Sequence, residues 1–100
     1  MIVNERETPQ GLLVSVCDDG MIGETFEDGD VSLTVNEEFY SGERCDEQQV
    51  IASLERAAVA NLVGSRTVEL AIEAGFVDAG SVLEIGATQH AQVLNLTRLG

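Results

Sequence analysis

His90, the single histidine of the chain, is the residue best suited to chemistry and lies in the segment GATQHAQVLNL. An imidazole there can be a catalytic base, a metal ligand, a ligand contact or a packed strand residue. Nucleophilic catalysis needs a partner at recognisable spacing, and no Gly-x-Ser-x-Gly elbow or comparable motif is present. A metal site needs about three protein ligands at characteristic spacing. We therefore expect no catalytic residue, metal or cofactor, and assign His90 either to packing or to a ligand contact.

Two further polar residues are candidates for a site with His90. Gln92 lies two positions later, on the same side of a predicted strand, because strand side chains alternate between two sides. Asn61 falls within the apolar stripe of a predicted helix that also contains Val50 and Leu54. A buried amide without a partner costs about 1–3 kcal/mol, so Asn61 should bond either to neighbouring backbone or to a ligand.

The segment VGSRT is the third candidate, because Gly64 permits a turn and Ser65 begins a predicted helix. Backbone N–H groups at a helix N-terminus attract anions, and Arg66 can add a two-point phosphate contact. A P-loop is excluded, since it needs a second glycine and a lysine, and the chain has no lysine. The alternative is an ordinary turn with a solvated arginine. The hypothesis is one cluster for a ligand or partner, formed by Asn61, Gly64, Ser65, Arg66, His90 and Gln92.

The elements that would position this cluster form a single α+β domain over residues 1–100. Period-two alternation predicts strands in IVNER, LLVSVC, VSLTV, VLEIG and HAQVLNL, the first three as an antiparallel meander. A capping box of Asp46 and Gln49 begins a predicted helix that continues to Gly64, and Ser65 caps a second helix. The expected architecture is a two-layer sandwich, a mainly antiparallel sheet covered on one face by a helical hairpin.

Charge is the strongest compositional signal, with 18 acidic residues, five arginines and a formal net charge of -13. Such an imbalance destabilises a fold by self-repulsion unless salt screens it, and at about 1 M salt the Debye length is only about 3 Å. The composition therefore favours adaptation to a salty cytoplasm. Thirteen of the acids lie up to Glu47. The nearly neutral second half, with Arg56, Arg66 and Arg98, is thus the expected side for a polyanion.

Other features point to a soluble cytoplasmic protein without membrane contact. No segment is apolar over the length of a membrane helix, and the N-terminus lacks the pattern of a signal peptide. Cys17 and Cys45 have no Cys-x-x-Cys spacing and are expected to be reduced, small apolar residues. The phenylalanines are expected in the core, since they do not alternate with basic residues as in an RNA-stacking platform: Phe26, Phe39 and Phe76.

Four segments, FYSGE, ANLVG, VELAI and HAQV, occur in this order along the chain. Together they resemble the archaeal domain-of-unknown-function family 424, and the likeness covers nearly the whole sequence. The resemblance implies a small cytoplasmic α+β protein, here of haloarchaeal type, linked to RNA or translation and without an established activity. Two positions differ from the family pattern. Ala-Thr-Gln precedes His90 where relatives often have Gly-Val-Pro, and Glu24 stands where they often have lysine, which argues against anion binding there.

Three functional hypotheses follow. The first is a non-enzymatic module that binds RNA or a ribonucleoprotein through the less acidic second half. The second is a protein–protein interaction or homodimer without nucleic acid, for which Val59 and Val63 would supply apolar contacts on the outer side of the first helix. The third, an enzyme with His90 as general acid or base, is the least supported, because no nucleophile, cofactor loop or carboxylate pair is present.

Overall fold

The computed structural model describes residues 1–95, so Arg98 lies outside the described residues. The α+β class expected from the sequence is confirmed. No helix within residues 1–95 has the length and apolar character needed to cross a membrane. The elements in chain order are β1 (Ile2–Thr8), β2 (Gly11–Cys17), β3 (Thr25–Asp28), β4 (Val31–Thr34), α1 (Glu37–Tyr40), β5 (Glu43–Arg44), α2 (Glu47–Arg56), β6 (Val59–Val63), α3 (Ser65–Glu73), a 3₁₀ turn (Ala79–Ser81), β7 (Leu83–Ile85) and β8 (Thr88–Leu94).

The main sheet has six strands in the order β5-β1-β2-β6-β8-β7. β2 and β6 run parallel and the other neighbouring pairs are antiparallel, which confirms the expected mainly antiparallel sheet. A parallel pair needs a crossover connection, and α2 lies within it. α2 and α3 pack on one face of the sheet, which we call the helix-covered face. Fully buried side chains of its core include Val14, Leu54, Leu62 and Val68.

A second, smaller core lies on the opposite face of the main sheet. β3 and β4 form a separate two-stranded sheet, and together with α1 they cover one end of this face. Cys17 and Val63 from the main sheet pack there with Val35 and Tyr40. At the other end of the same face the side chains are mostly exposed or half-buried. Only part of the opposite face is therefore covered by the described residues.

The expected helical hairpin is wrong, because a strand lies between the two helices. α2 ends at Arg56, and Ala57 is extended with φ −72° and ψ 138°. The following segment is β6, which lies between β2 and β8. Its apolar residues fit both a period of two and a period of 3.6, so its pattern does not separate strand from helix. The β-branched Val59 and Val63 favour the strand, and pairing on both sides satisfies its backbone.

Other local expectations have mixed outcomes. The capping box of α2 is confirmed, since Asp46 accepts from the Gln49 N–H at 2.8 Å and the Gln49 side chain accepts from the Asp46 N–H at 2.9 Å. The meander is wrong in its third strand, because β4 pairs with β3 outside the main sheet. Val63 is buried rather than exposed for a partner, and Val59 is half-buried.

Candidate functional site

The N-terminus of α3, predicted to attract an anion, already holds a carboxylate of the same chain. Asp18 directly follows β2, and its side chain accepts from the N–H groups of Arg66 at 3.1 Å and Thr67 at 2.8 Å. The Thr67 hydroxyl donates to the same carboxylate at 2.7 Å. The sequence predicted Ser65 as the capping residue, but the N-cap of α3 is Gly64. The start of α3 is therefore bonded internally and has a structural role.

Gly64 and Arg66 belong to this internal contact. Gly64 has φ of 110°, and a Cβ there would lie 2.3 Å from Cγ of Asp18. A side chain at position 64 is thus excluded both by the backbone conformation and by the neighbouring carboxylate. The guanidinium of Arg66 lies 3.9 Å from the carboxylate of Glu47 in α2. Gly64 and Arg66 therefore lie at the N-terminal end of α3, in the layer of helices.

Asn61, His90 and Gln92 lie on the opposite face of the sheet. Asn61 and Gln92 are cross-strand partners, and His90 is partnered with Val63 two residues along the same two strands. The Gln92 Nε2 donates to the Asn61 Oδ1 at 3.3 Å. The predicted single cluster therefore divides. One part is an amide pair beside a histidine on the sheet, and the other part is the turn formed by Gly64, Ser65 and Arg66.

The main sheet separates its charges by face. Register and alternation place every carboxylate of its six strands on the helix-covered face, namely Glu5, Glu7, Glu43 and Glu84. The opposite face of these strands has none, although the chain carries a net charge of -13. We call the accessible, acid-free part of that face the open surface: Arg6, Leu13, Val59, Asn61, Leu83, His90, Gln92 and Leu94.

His90 contributes a half-buried ring to the open surface. Burial lowers the pKa of His90 from its ordinary value, so the imidazole is neutral at neutral pH. Within residues 1–95 the ring has no hydrogen-bond partner, which leaves one donor and one acceptor for a bound group. Its cross-strand neighbour Leu83 is 60% exposed, and Leu94 on the same face is 58% exposed. The surface thus combines neutral polar groups with exposed leucines.

Phe39 extends this surface beside Arg6, and neither residue was identified as a site residue from the sequence. Phe39 in α1 is 44% exposed, so its assignment to the core was wrong. The Arg6 guanidinium lies over its ring, 5.2 Å from the centroid, and Nη2 donates to the Glu38 carbonyl at 3.1 Å. The alternation of side chains along β1 is enough to predict that Arg6 lies on the other side of the sheet from Glu5 and Glu7. No sequence signal shows that α1 lies beside it.

Neither thiol is activated. Burial, followed by the charge of Asp18, raises the pKa of Cys17 to about 11. Burial also raises the pKa of Cys45. Both cysteines are free, so both are protonated thiols at neutral pH. Among the described residues, no group of three or more His, Cys, Asp and Glu side chains is arranged to hold a metal ion.

A groove of about 570 Å³ lies on the other side of the sheet, between β1 and α2. At its wall the Ser53 hydroxyl donates to Glu5 Oε2 at 2.6 Å, and Arg56 pairs with the same oxygen. The hydrogen bond from Ser53 is the main cause that holds the pKa of Glu5 below its ordinary value, with a further contribution from Arg56. This contact ties β1 to α2, and its groups are already partnered.

The lowered pKa of Glu5 predicts an acid-sensitive contribution to stability. A carboxyl whose pKa is depressed by folding stabilises the protein above its ordinary pKa and loses this effect as the pH falls through the folded value. Ser53→Ala removes the main cause, so the variant should be about 1 kcal/mol less stable at neutral pH. The difference should shrink as the pH falls below 4.5, the ordinary pKa of this carboxyl, as measured by urea unfolding.

The matched control is Ser32→Ala, which removes an exposed serine of β4. This variant should follow the unaltered protein at every pH. If the difference between Ser53→Ala and the unaltered protein stayed constant down to the acid limit, Glu5 would not be the group responsible.

The fold and family of the chain are shown by comparison with known proteins. A similar solved structure is that of an uncharacterized conserved protein from Methanopyrus kandleri, with 20% sequence identity and a TM-score of 0.77. The alignment covers 92% of this chain and 88% of that chain, which establishes a shared fold. No curated protein matches the sequence. The profile of the family described as Protein of unknown function (DUF424) matches residues 5–96, and the chain therefore belongs to this family.

Proposed function

We propose that the protein is a non-enzymatic module that binds RNA, free or within a ribonucleoprotein of the translation apparatus, through the open surface. The observation that carries this proposal is the absence of carboxylates from the strand residues of the opposite face in a chain with a net charge of -13. A polyanion approaching any other side of the sheet would meet glutamates. On the open surface it would meet neutral side chains and Arg6.

The groups of the open surface suit RNA recognition. Proteins that recognise RNA by sequence bond to the edges of bases and stack on aromatic rings or guanidinium planes. Asn61 and Gln92 provide amides, His90 provides a neutral imidazole, and Arg6 lies over the ring of Phe39. These contacts work at high ionic strength, where counterion release contributes little to affinity.

A charge introduced at Gln92 should weaken RNA binding. Gln92→Glu removes the donor to Asn61 and places a carboxylate on the acid-free surface. We expect the affinity for a short fluorescein-labelled RNA of mixed sequence to fall about tenfold or more, equivalent to about 1.4 kcal/mol, as measured by fluorescence anisotropy. The matched control is Gln48→Glu, the same change at an exposed position in the first turn of α2.

The control carries the same net charge, so it separates a local effect from general repulsion. Equal affinities of Gln92→Glu and Gln48→Glu would reject the open surface as the binding site. RNA crosslinking in cells grown at high salt provides a second test. Recovery of RNA no greater than with an unrelated acidic protein of similar size would contradict RNA binding itself.

The second candidate function is self-association or protein binding through the same surface without nucleic acid. The exposed Leu83 and Leu94 favour it, because exposed leucines on one sheet face are typical of contact sites. Sedimentation in molar salt distinguishes the two. A homodimer that is lost in Leu94→Arg, together with no RNA binding, would support this candidate over the first.

The same proposal includes a cytoplasmic location in a salt-adapted archaeon. It is supported by the absence of lysine, by the net charge of -13 and by the archaeal source of the similar solved structure. Molar salt screens the repulsion between the carboxylates, which lie mostly in exposed positions.

A further inference from the structure

Resting on the proposed RNA binding, we infer that the ligand is single-stranded RNA, with one base stacked at Arg6 and Phe39 and another bonded to Asn61 and Gln92. On this inference, the open surface recognises unpaired bases rather than the phosphate backbone. Three features of the molecule point to this ligand: the small number of available cations, the exposed aromatic ring and the row of polar side chains across the strands.

The cations of the described chain are mostly occupied. Arg44 lies 3.6 Å from Asp19, Arg66 lies 3.9 Å from Glu47, and Arg56 pairs with Glu5. Among residues 1–95, Arg6 is the arginine without a carboxylate partner, and it lies on the open surface. Duplex binding relies on many contacts to phosphates, which fix the protein on the backbone. A surface with one available cation is poorly suited to a duplex.

Arg6 and Phe39 provide a stacking platform at one end of the open surface. The guanidinium lies 5.2 Å from the ring centroid, and the ring is 44% exposed. The Nη2 bond to the Glu38 carbonyl at 3.1 Å holds the guanidinium in place. Base stacking on an aromatic side chain contributes about 1–3 kcal/mol and is available only for unpaired bases. The carboxylates of Glu37 and Glu38 in the same short helix are exposed at the rim and disfavour a second phosphate there.

Polar side chains form a row across four strands next to this platform. Cross-strand partners in this row are Asn4 and Ser15, then Ser15 and Asn61, then Asn61 and Gln92. Adjacent strands lie about 4.8 Å apart, so the row spans about 14 Å. Asn4 donates to the Ser41 carbonyl at 2.7 Å and Ser15 is buried, which leaves the amide pair accessible.

The amide pair retains the groups needed to bond a base edge. One amide of the pair donates to the other at 3.3 Å. In either orientation, this bond leaves a free N–H donor on one residue and a free carbonyl acceptor on the other. Every base presents a donor beside an acceptor on its Watson–Crick edge, and this edge is free only in a single strand. Asn61 lies two strands and two residues along from Arg6, about 12 Å away, so both contacts can be made by one extended RNA strand.

The decisive experiment compares a labelled single-stranded RNA of mixed sequence with the same strand annealed to its complement, by anisotropy from about 0.1 M to about 1 M KCl. We expect the single strand to bind about tenfold or more tightly than the duplex. With about one phosphate contact, a tenfold rise in salt should weaken single-strand binding only about fivefold. Phe39→Leu should lower the affinity about tenfold, whereas Phe39→Tyr should keep it, because tyrosine preserves the stacking ring.

The possible failures are distinguishable. Duplex binding equal to or tighter than single-strand binding, a much steeper salt dependence, or unchanged binding in Phe39→Leu would overturn this inference. If RNA binding were still lost in Gln92→Glu, the proposed function would stand. If neither form of RNA bound, the proposed function and this inference would both fail. Phe39 is largely exposed, and thermal unfolding of Phe39→Leu shows whether its fold is intact.

Discussion

Replacing Asp18 with alanine is expected to lower the free energy of unfolding by about 2–4 kcal/mol, because the variant loses the cap of α3 and leaves a buried hydroxyl unpaired. The Asp18 carboxylate accepts from two backbone N–H groups and from the hydroxyl of Thr67, which is 1% exposed. Urea unfolding followed by circular dichroism measures the loss.

Asp30→Ala is the matched control for this prediction, since it removes an exposed aspartate after the β3 strand. It should change stability by less than about 0.5 kcal/mol. Gly64→Ala should also destabilise the protein, because its Cβ would overlap the Asp18 carboxylate. An Asp18→Ala protein as stable as the control would show that this carboxylate does not hold the helix.

Replacing Leu62 with alanine is expected to cost about 2–5 kcal/mol, whereas Leu94→Ala should cost less than about 0.5 kcal/mol. Both leucines belong to neighbouring strands of the main sheet, but Leu62 is 0% exposed on the helix-covered face and Leu94 is 58% exposed on the open surface. The first truncation leaves a cavity between sheet and helices. The second removes side-chain atoms that are already in water.

This pair of identical substitutions tests the register of the sheet. Because strand side chains alternate, a shift of one residue in β6 or β8 would exchange buried and exposed positions. Similar losses in both variants would contradict the assignment of the open surface. The Leu94→Ala protein also serves in the RNA experiments, since its fold should be intact and only its surface is altered.

Local features of the fold were predictable from the sequence, whereas contacts between distant segments were not. The capping box of α2 depends on two residues three positions apart, and the shared side of His90 and Gln92 depends only on strand alternation. The bond between Asp18 and Thr67 joins residues 49 positions apart. Its prediction requires knowing that β2 and β6 are neighbours, which no local pattern indicates.

The error at β6 explains most of what was missed at the candidate site. Because Asn61 was predicted to lie on a helix, its cross-strand pairing with Gln92 could not be predicted. β6 is a short strand of five mostly apolar residues, and its pairing with β2 on one side and β8 on the other decides its conformation more than the local sequence pattern does. Once the segment is a strand between β2 and β8, the row of polar side chains and the acid-free face follow from register alone.

Because the open surface has no carboxylates, it is also the part of the protein that can be dehydrated at the lowest free-energy cost. Carboxylates hold their hydration shell strongly, while leucine, valine and neutral amides release water at much lower cost. The helix-covered side and the exposed turns therefore keep the protein hydrated in concentrated salt. Leu13, Val59, Leu83 and Leu94 form the part of the sheet whose dehydration is least costly. Binding of a partner at this surface should give a negative change in heat capacity, and the rest of the protein surface should stay hydrated.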